Sequence, residues 1–307
     1  MDTQERIELR QPRDFGENFN TSVKFLRQNF RPLLRCILAH AGPLILISAV
    51  CERLYDSNME GGSPFTNGYY IGYLLFSIAG YLALISSTFC YMILYKEKGK
   101  GNFDHNDVRN LIAKNTWKII GAFFWFVVLV AVYALGILFV GGIIYAVNSA
   151  LLVFLSIFSI LGLCLIFPPI LWRYTVFYIP IIEENMEVMA AAGKTKELIQ
   201  SQFWWTWLYY TCCAIINSVL GVVFMLPIII YQLVILFAGF VPGSDSSPVY
   251  IATAIFCSTL SSFVSCFLFV SSAMYYYSQA EKKDPVALME RIDDIGKKTN
   301  TLNEQSF

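Results

Sequence analysis

The chain has 307 residues, 56% hydrophobic, 16% aromatic and only 14% charged, and its 22 basic residues balance 22 acidic ones. A soluble domain carries about a quarter of its residues as charges, so this composition excludes an ordinary soluble fold. The zero net charge gives no electrostatic reason for a nucleic-acid partner, and the basic residues are spread over short islands rather than gathered in one patch.

In chain order, residues 1–14 are polar and predict a poorly ordered N-terminal tail. Arg6, Arg10, Arg13, Lys24, Arg27 and Arg31 fall in the first 32 residues with no apolar h-region, so no cleavable signal peptide is expected. From Phe15 to Arg31 the apolar residues Phe15, Phe19, Val23, Leu26 and Phe30 recur at helical spacing. This predicts an amphipathic helix lying in the membrane interface, with Pro32 at the corner before a first span over 33–51. Turn residues fill 52–68, and the uncharged run 65–95 predicts the second span.

The basic loop 96–118 contains Asp104 and Asp107, which predict an N-cap and a short helix through Trp117. Residues 119–172 carry no charge, enough for two spans of about 20 residues with a break near Gly141-Gly142 or Asn148-Ser149. The island Arg173–Trp207 follows and predicts a cytoplasmic elbow: an interfacial helix, with Glu184 at its start, feeding a fifth span from near Trp204. Pro227 predicts a kink or a second piece over 228–241. A turn at 241–248 leads to a sixth span over 249–275, where Tyr275-Tyr276-Tyr277 suits the headgroup level. Asp284 and Pro285 predict the start of a cytoplasmic amphipathic helix, with a frayed tail at 299–307.

The expected fold is therefore all-α: six transmembrane helices over 15–280 with interfacial helices on the cytoplasmic side, and an amphipathic helix and tail over 281–307. With six spans, 21 of the 22 basic residues fall on the side of the termini and only Arg53 on the other. By the positive-inside rule both termini are cytoplasmic. FLRQNF (25–30), IAKNTW (112–117) and LIQSQF (198–203) place aromatics at Phe30, Trp117 and Phe203, 87 and 86 residues apart. This spacing suggests a threefold repeat of elbow helix plus helical hairpin, although any interfacial helix entering a bilayer has a similar look.

The elbow string Glu184–Trp204 resembles a segment of the six-helix membrane domain found in some bacterial glycerophosphodiester phosphodiesterases and in related stand-alone membrane proteins. Glu184, Val188, Ala191, Leu198, Phe203 and Trp204 fit its pattern without a gap, with Arg173 and Pro180 ahead of them. Thr195 and Ser201 depart from it, standing where the pattern has serine and glycine. The resemblance implies a multi-pass protein of the bacterial inner membrane. The catalytic barrel of the phosphodiesterase members, about 250 residues, has no counterpart in this sequence, so a non-enzyme is expected.

Candidate site residues are few. His40 falls about 10 Å into the first span at 1.5 Å per residue; it could line a polar path or bond a neighbouring helix. Arg173 could grip a lipid phosphate or serve as a snorkelling anchor. Asn217 and Gln232 could line a cavity or join helices. Glu183-Glu184 lacks the His or Asp company of a metal site, the cysteines lack ligand spacing, and no cofactor motif occurs. The expected role is non-catalytic, handling a lipid or small solute between helices. The alternative is a membrane scaffold that docks a partner through its cytoplasmic helices. Membrane lipids are the expected partners; a protein partner or a second copy stays open.

Overall fold

The computed structural model describes residues 6–57, 67–147, 170, 172–237, 248–285 and 289. Every regular element among them is a helix: α1 Phe15–His40, α2 Gly42–Ser57, α3 Gly68–Lys98, α4 His105–Val147, α5 Tyr178–Glu183, α6 Val188–Gln200, α7 Phe203–Phe237 and α8 Pro248–Lys283, with a further helical turn at 172–176. Four are long and apolar enough to cross a membrane: α3, α4 (over 105–128), α7 and α8. The pair α1 and α2, bent by 58°, passes the same test only when taken together, as one broken span or a re-entrant loop, which gives four to five. The fourth expected span and the loops 58–66 and 238–247 lie outside the described residues.

Several boundaries differ from those the sequence predicts. Pro32 sits inside α1, which runs unbroken from the amphipathic segment into the apolar one. The corner comes instead at Ala41, immediately before Gly42-Pro43. Proline at 43 removes an N–H from the ladder and disfavours helical backbone at the residue before it. Likewise α4 is one helix of 43 residues, about 65 Å at 1.5 Å each, so neither Trp117 nor Gly141-Gly142 marks an end. Pro227 is also carried within α7, which takes in 228–237. Only the third elbow is a helix separate from its span, through the break at Ser201-Gln202.

The buried core is concentrated at one end of the bundle. In α3 the buried residues are Gly80 and 84–95; in α8 they run from 266 to 281 with Leu268 alone partly buried, and Ala254 and Cys257 lie beyond. In α7 only Thr206, Tyr209, Tyr210 and Cys213 are buried, all in its first three turns. Phe25, Phe89 and Phe269 are wholly enclosed there, and Phe89 and Phe269 meet edge to face with centroids 6.2 Å apart. Tyr209 stacks on Tyr275 at 4.5 Å, and Trp172 closes on the same tyrosine at 5.5 Å. Aromatic pairs of this kind add about 0.5–1.5 kcal/mol beyond the area they bury. The three consecutive tyrosines 275–277 are thus core residues, each at most 3% exposed, and not a headgroup belt. At the start of α7, Trp204 and Trp205 are 65% and 59% exposed.

α1 buries a face that its apolar pattern does not announce. Asn18, Ser22, Phe25 and Asn29 are wholly buried, while Val23 and Phe30 point outward. Most of the inward polar groups are bonded: Ser22 donates to the Asn18 carbonyl at 2.7 Å, Asn29 to that of Phe25 at 3.1 Å, and Tyr91 donates to Asn29 Oδ1 at 3.2 Å, while Asn18 Oδ1 is left without a partner among the described residues. Phe15, Phe19 and Leu26 pack against the core from the side.

α2 and α3 pack at close range through Gly80. A Cβ on Gly80 would lie 2.9 Å from Ile45 Cγ1 and 3.3 Å from the Ile45 backbone nitrogen. Gly80→Val is therefore expected to push the helices apart and destabilise the protein by about 1–3 kcal/mol, the usual cost of overpacking. Thermal unfolding in detergent checks this; an unchanged midpoint would refute the close contact.

Candidate functional site

The most elaborate polar construction is at the end of the bundle where the core lies. Residues 6–13, expected as a loose tail, form a strap across this end. Ile7 and Leu9 are buried in the core, and the Ile7 N–H donates to Tyr95 Oη at 3.1 Å. Arg6 donates to the Lys96 carbonyl in the last turn of α3 at 2.5 Å, a favourable place for a cation near exposed helix carbonyls. Gly99, at φ 82°, ends that helix in a conformation glycine tolerates, and the Arg6 guanidinium lies over it. Arg10 Nε donates to Glu281 Oε2 at 2.8 Å, and the Arg13 N–H to Ser278 Oγ at 2.9 Å. The Arg13 guanidinium folds back on the carbonyls of Leu9 and Glu8. Burial lowers its pKa, with Glu17 acting the other way. Composition hid this strap because its anchors are single charges and two apolar residues, too few to form a periodic pattern.

The strap forms one wall of a charged chamber of about 120 Å³. The other walls come from the end of α3, the elbow and the end of α8. At its centre Glu183 accepts from Lys96 and, at 2.8 Å, from the Tyr277 hydroxyl, while the Lys96 ammonium lies 5.2 Å from the Tyr277 ring centroid. Toward the rim, Lys194 pairs with Glu184 (Oε2 at 2.6 Å) and Lys283 with Glu197 at 2.5 Å. Lys283 holds the Glu197 carboxyl below the usual carboxylate range, through the hydrogen bond first and its charge second. Tyr276, Asp284, Leu198 and Ala280 complete the lining.

Glu184 does not start the elbow helix. It is the C-cap of α5, and α6 begins after Glu187. Asn185 makes the turn between them at φ 55°, a left-handed conformation that asparagine accepts more readily than most residues. Lys118 of α4 bonds the Asn185 side chain and fixes the turn from the other side. The Asp284 N–H donates to the Ala280 carbonyl at 2.8 Å at the end of α8, and the Met289 N–H donates to the Pro285 carbonyl at 3.1 Å. The predicted helix 284–298 otherwise falls almost wholly outside the described residues.

The three residues singled out in the sequence are kept apart by their bonding. His40 Nδ1 is 2.8 Å from the Cys36 carbonyl of its own helix, just before the bend. Arg173 Nη2 donates to the Ala192 carbonyl at 2.7 Å, and its guanidinium lies 5.4 Å from the Tyr174 ring centroid. Arg173 thereby ties the turn 172–176 to the elbow helix. Asn217 is in a third place, a cleft between α7 and α8 lined also by Ser218, Gly221, Ser261 and Ser265; neither His40 nor Arg173 reaches it. The Asn217 Oδ1 is buried with no hydrogen-bond partner. The helices meet there closely, since a Cβ on Gly221 would lie 3.1 Å from Ser261 Oγ. Gln232, further along α7, donates to Tyr250 Oη at 2.6 Å and so joins helices.

Of the residues in the family-like string, Ala191 and Leu198 are buried on the inner face of α6, and Val188 and Phe203 pack against the core. Among the described residues seven cysteines are free, and no His/Cys/Asp/Glu group is arranged to hold a metal. Sequence reasoning missed Arg10, Lys96, Tyr276, Tyr277 and Asp284 as site residues. One signal was available: three consecutive tyrosines on a helix point about 100° apart, so they cannot all face lipid. No family model matches this chain, and no curated protein or solved structure is significantly similar to it.

Proposed function

We propose that this is a non-catalytic protein of the bacterial inner membrane that handles a lipid or small solute between its helices. The observation that carries this reading is the Asn217 cleft: a carboxamide oxygen without a partner, beside several serines, in the midst of two strongly apolar helices. Polar groups at such depth are costly unless they serve helix contacts or a ligand.

The proposal includes six spans with both termini cytoplasmic. In its support, the strap and the end of α8 are bonded to each other, which calls for an even number of crossings. Further, α4 leaves the strap end, whereas Glu183 is back at that end beside Lys96. The sixth crossing rests on the sequence, whose uncharged run up to Trp172 is long enough for two spans. The segregation of basic residues gives the side. Kinship with the six-helix membrane domain, and a threefold repeat of elbow helix plus hairpin, belong to the same proposal and rest on the sequence pattern.

The test is lipid and metabolite identification by mass spectrometry on the purified full chain, beside Asn217→Leu. Leucine has nearly the same size and removes the polar group. The expected result is a bound species that falls roughly tenfold in the variant, about 1.4 kcal/mol of binding. An identical profile in both proteins overturns the reading.

A further inference from the structure

We propose that the outward face of α1 is a docking surface for acidic phospholipid headgroups, held by Lys24, Arg27, Arg31 and Arg35. The inference rests on the chain lying in a membrane. It shares no residue with the Asn217 cleft and stands or falls without it.

Three faces of α1 can be told apart. The inner one is buried through Asn18, Ser22, Phe25, Asn29, Leu33 and Cys36. At about 100° per residue, Lys24, Arg27, Arg31 and Arg35 fall within an arc of about 80° opposite that face. All four are exposed. They follow one another at spacings of three, four and four residues. The stripe therefore runs about 16 Å along the helix, at 1.5 Å per residue. Its continuity depends on the helix passing through Pro32 without a break. A corner there would have turned Arg35 away from the others. On the third face Val23 and Phe30 are 44% and 58% exposed. An apolar flank beside a cationic face suits a helix lying in the headgroup layer, its apolar residues dipping toward the acyl chains.

Charge identifies what would meet the stripe. None of the four cations has a hydrogen bond or ion pair with a described residue. Glu17 is the only acidic residue in α1, and it is engaged at the helix start, accepting from the Asp14 N–H at 3.2 Å. The cations of the chamber differ in this respect: Lys96, Lys194, Lys283 and Arg10 are each matched by a glutamate. Unmatched cations in a row call for anions repeated along a surface, which phosphodiester headgroups supply. A second copy of the same face is disfavoured by like-charge repulsion. Three of the four cations are arginines, whose planar fork grips a phosphate through two parallel N–H donors. A zwitterionic lipid brings its own ammonium to this face, so the surplus positive charge selects lipids with a net negative charge. Each basic residue near an acidic leaflet is worth roughly fivefold in affinity, the equivalent of about 1 kcal/mol.

For the test, the full chain is reconstituted in vesicles of equal phosphatidylglycerol and phosphatidylethanolamine, and retained lipid is read by native mass spectrometry. Wild type should retain the glycerol lipid over the ethanolamine lipid by at least roughly fivefold, the worth of one engaged cation. The preference should shrink between about 0.1 M and 1 M salt, as the screening length falls from about 10 Å to 3 Å. The stripe variant Lys24→Gln/Arg27→Gln/Arg31→Gln/Arg35→Gln should lose it. A control variant, Arg109→Gln/Lys114→Gln/Lys196→Gln/Lys282→Gln, removes the same charge from exposed positions on other helices and should keep most of it. Asn217→Leu should leave it unchanged, which separates this surface from the cleft. The stripe side chains bond no described residue, so the wild-type unfolding midpoint should persist. The positive-inside bias, 21 residues against one, also survives the loss of four. The milder Arg27→Gln/Arg31→Gln should lose part of the preference, so the result does not hang on one heavily substituted chain. No preference in wild type, a preference that the stripe variants leave unchanged, or equal losses in stripe and control variants overturns the proposal.

Discussion

Replacing Arg10 by alanine should detach residues 6–13 from the bundle while the membrane helices stay assembled. The Arg10 guanidinium faces a Glu281 side chain that is only 1% exposed. Removing one member of such a pair leaves its partner's charge in a poorly solvated place, at a cost of about 3 kcal/mol. The rest of the strap is held by two buried apolar side chains, the Arg6 bond, the bonds of the Ile7 and Arg13 amides, and those that the Arg13 carbonyl accepts from Asn18 and Ser278. Those two amides are the readout. Their hydrogen exchange should accelerate by roughly a hundredfold in Arg10→Ala, with exchange in the core of α3 and α8 unchanged. Adding Glu281→Gln removes the carboxylate that Arg10 faces, so the double variant should cost less than the sum of the two single ones. Wild-type exchange at Ile7 and Arg13 in Arg10→Ala would mean that the ion pair does not hold the strap.

Glu183→Ala should be the most damaging single change at the chamber. It removes the acceptor of Lys96 and of the Tyr277 hydroxyl together. Tyr277 is 2% exposed and would be left with an unpaired hydroxyl, a loss of about 1–3 kcal/mol. Lys96 is about a quarter exposed, so water partly compensates it, and a total near 3 kcal/mol is expected rather than the upper end of the range for buried pairs. The measurement is the thermal unfolding midpoint in detergent, compared with Lys96→Met and with the Lys96→Met/Glu183→Leu pair. The paired change leaves no uncompensated charge and should be milder than Glu183→Ala alone. If the midpoint of Glu183→Ala equals that of wild type, the Lys96–Glu183–Tyr277 group contributes nothing to the fold.

Both expectations concern contacts between segments far apart in sequence, 271 residues for Arg10 and Glu281 and 94 for Glu183 and Tyr277. That separation is why neither was legible beforehand. Charges in a short island read as anchors for insertion. Which island meets which is decided when the helix ends converge. His40 shows the same limit in the opposite direction. An imidazole within an apolar run is a reasonable ligand candidate, but its own helix supplies the bond through the Cys36 carbonyl.

By itself the sequence determined the helical class and the placement of its long apolar helices. A backbone in hydrocarbon must satisfy its hydrogen bonds locally, so some 20 uncharged residues leave little choice but a helix. It also determined where charge is tolerated, because charges in the bilayer are costly and collect at helix ends. Helix ends were read less well. Pro32 and Trp117 lie within continuous helices, and the corner falls at Ala41, because packing on both sides can override a local break signal. Only the tertiary structure decided that Asn18, Ser22 and Asn29 face inward, that Tyr275–Tyr277 are core, and that the tail 6–13 is a strap. Except for Tyr276, the partner in each case is a specific polar group on another helix or a bonded carbonyl, and hydrogen bonding of that kind leaves no periodic trace in composition.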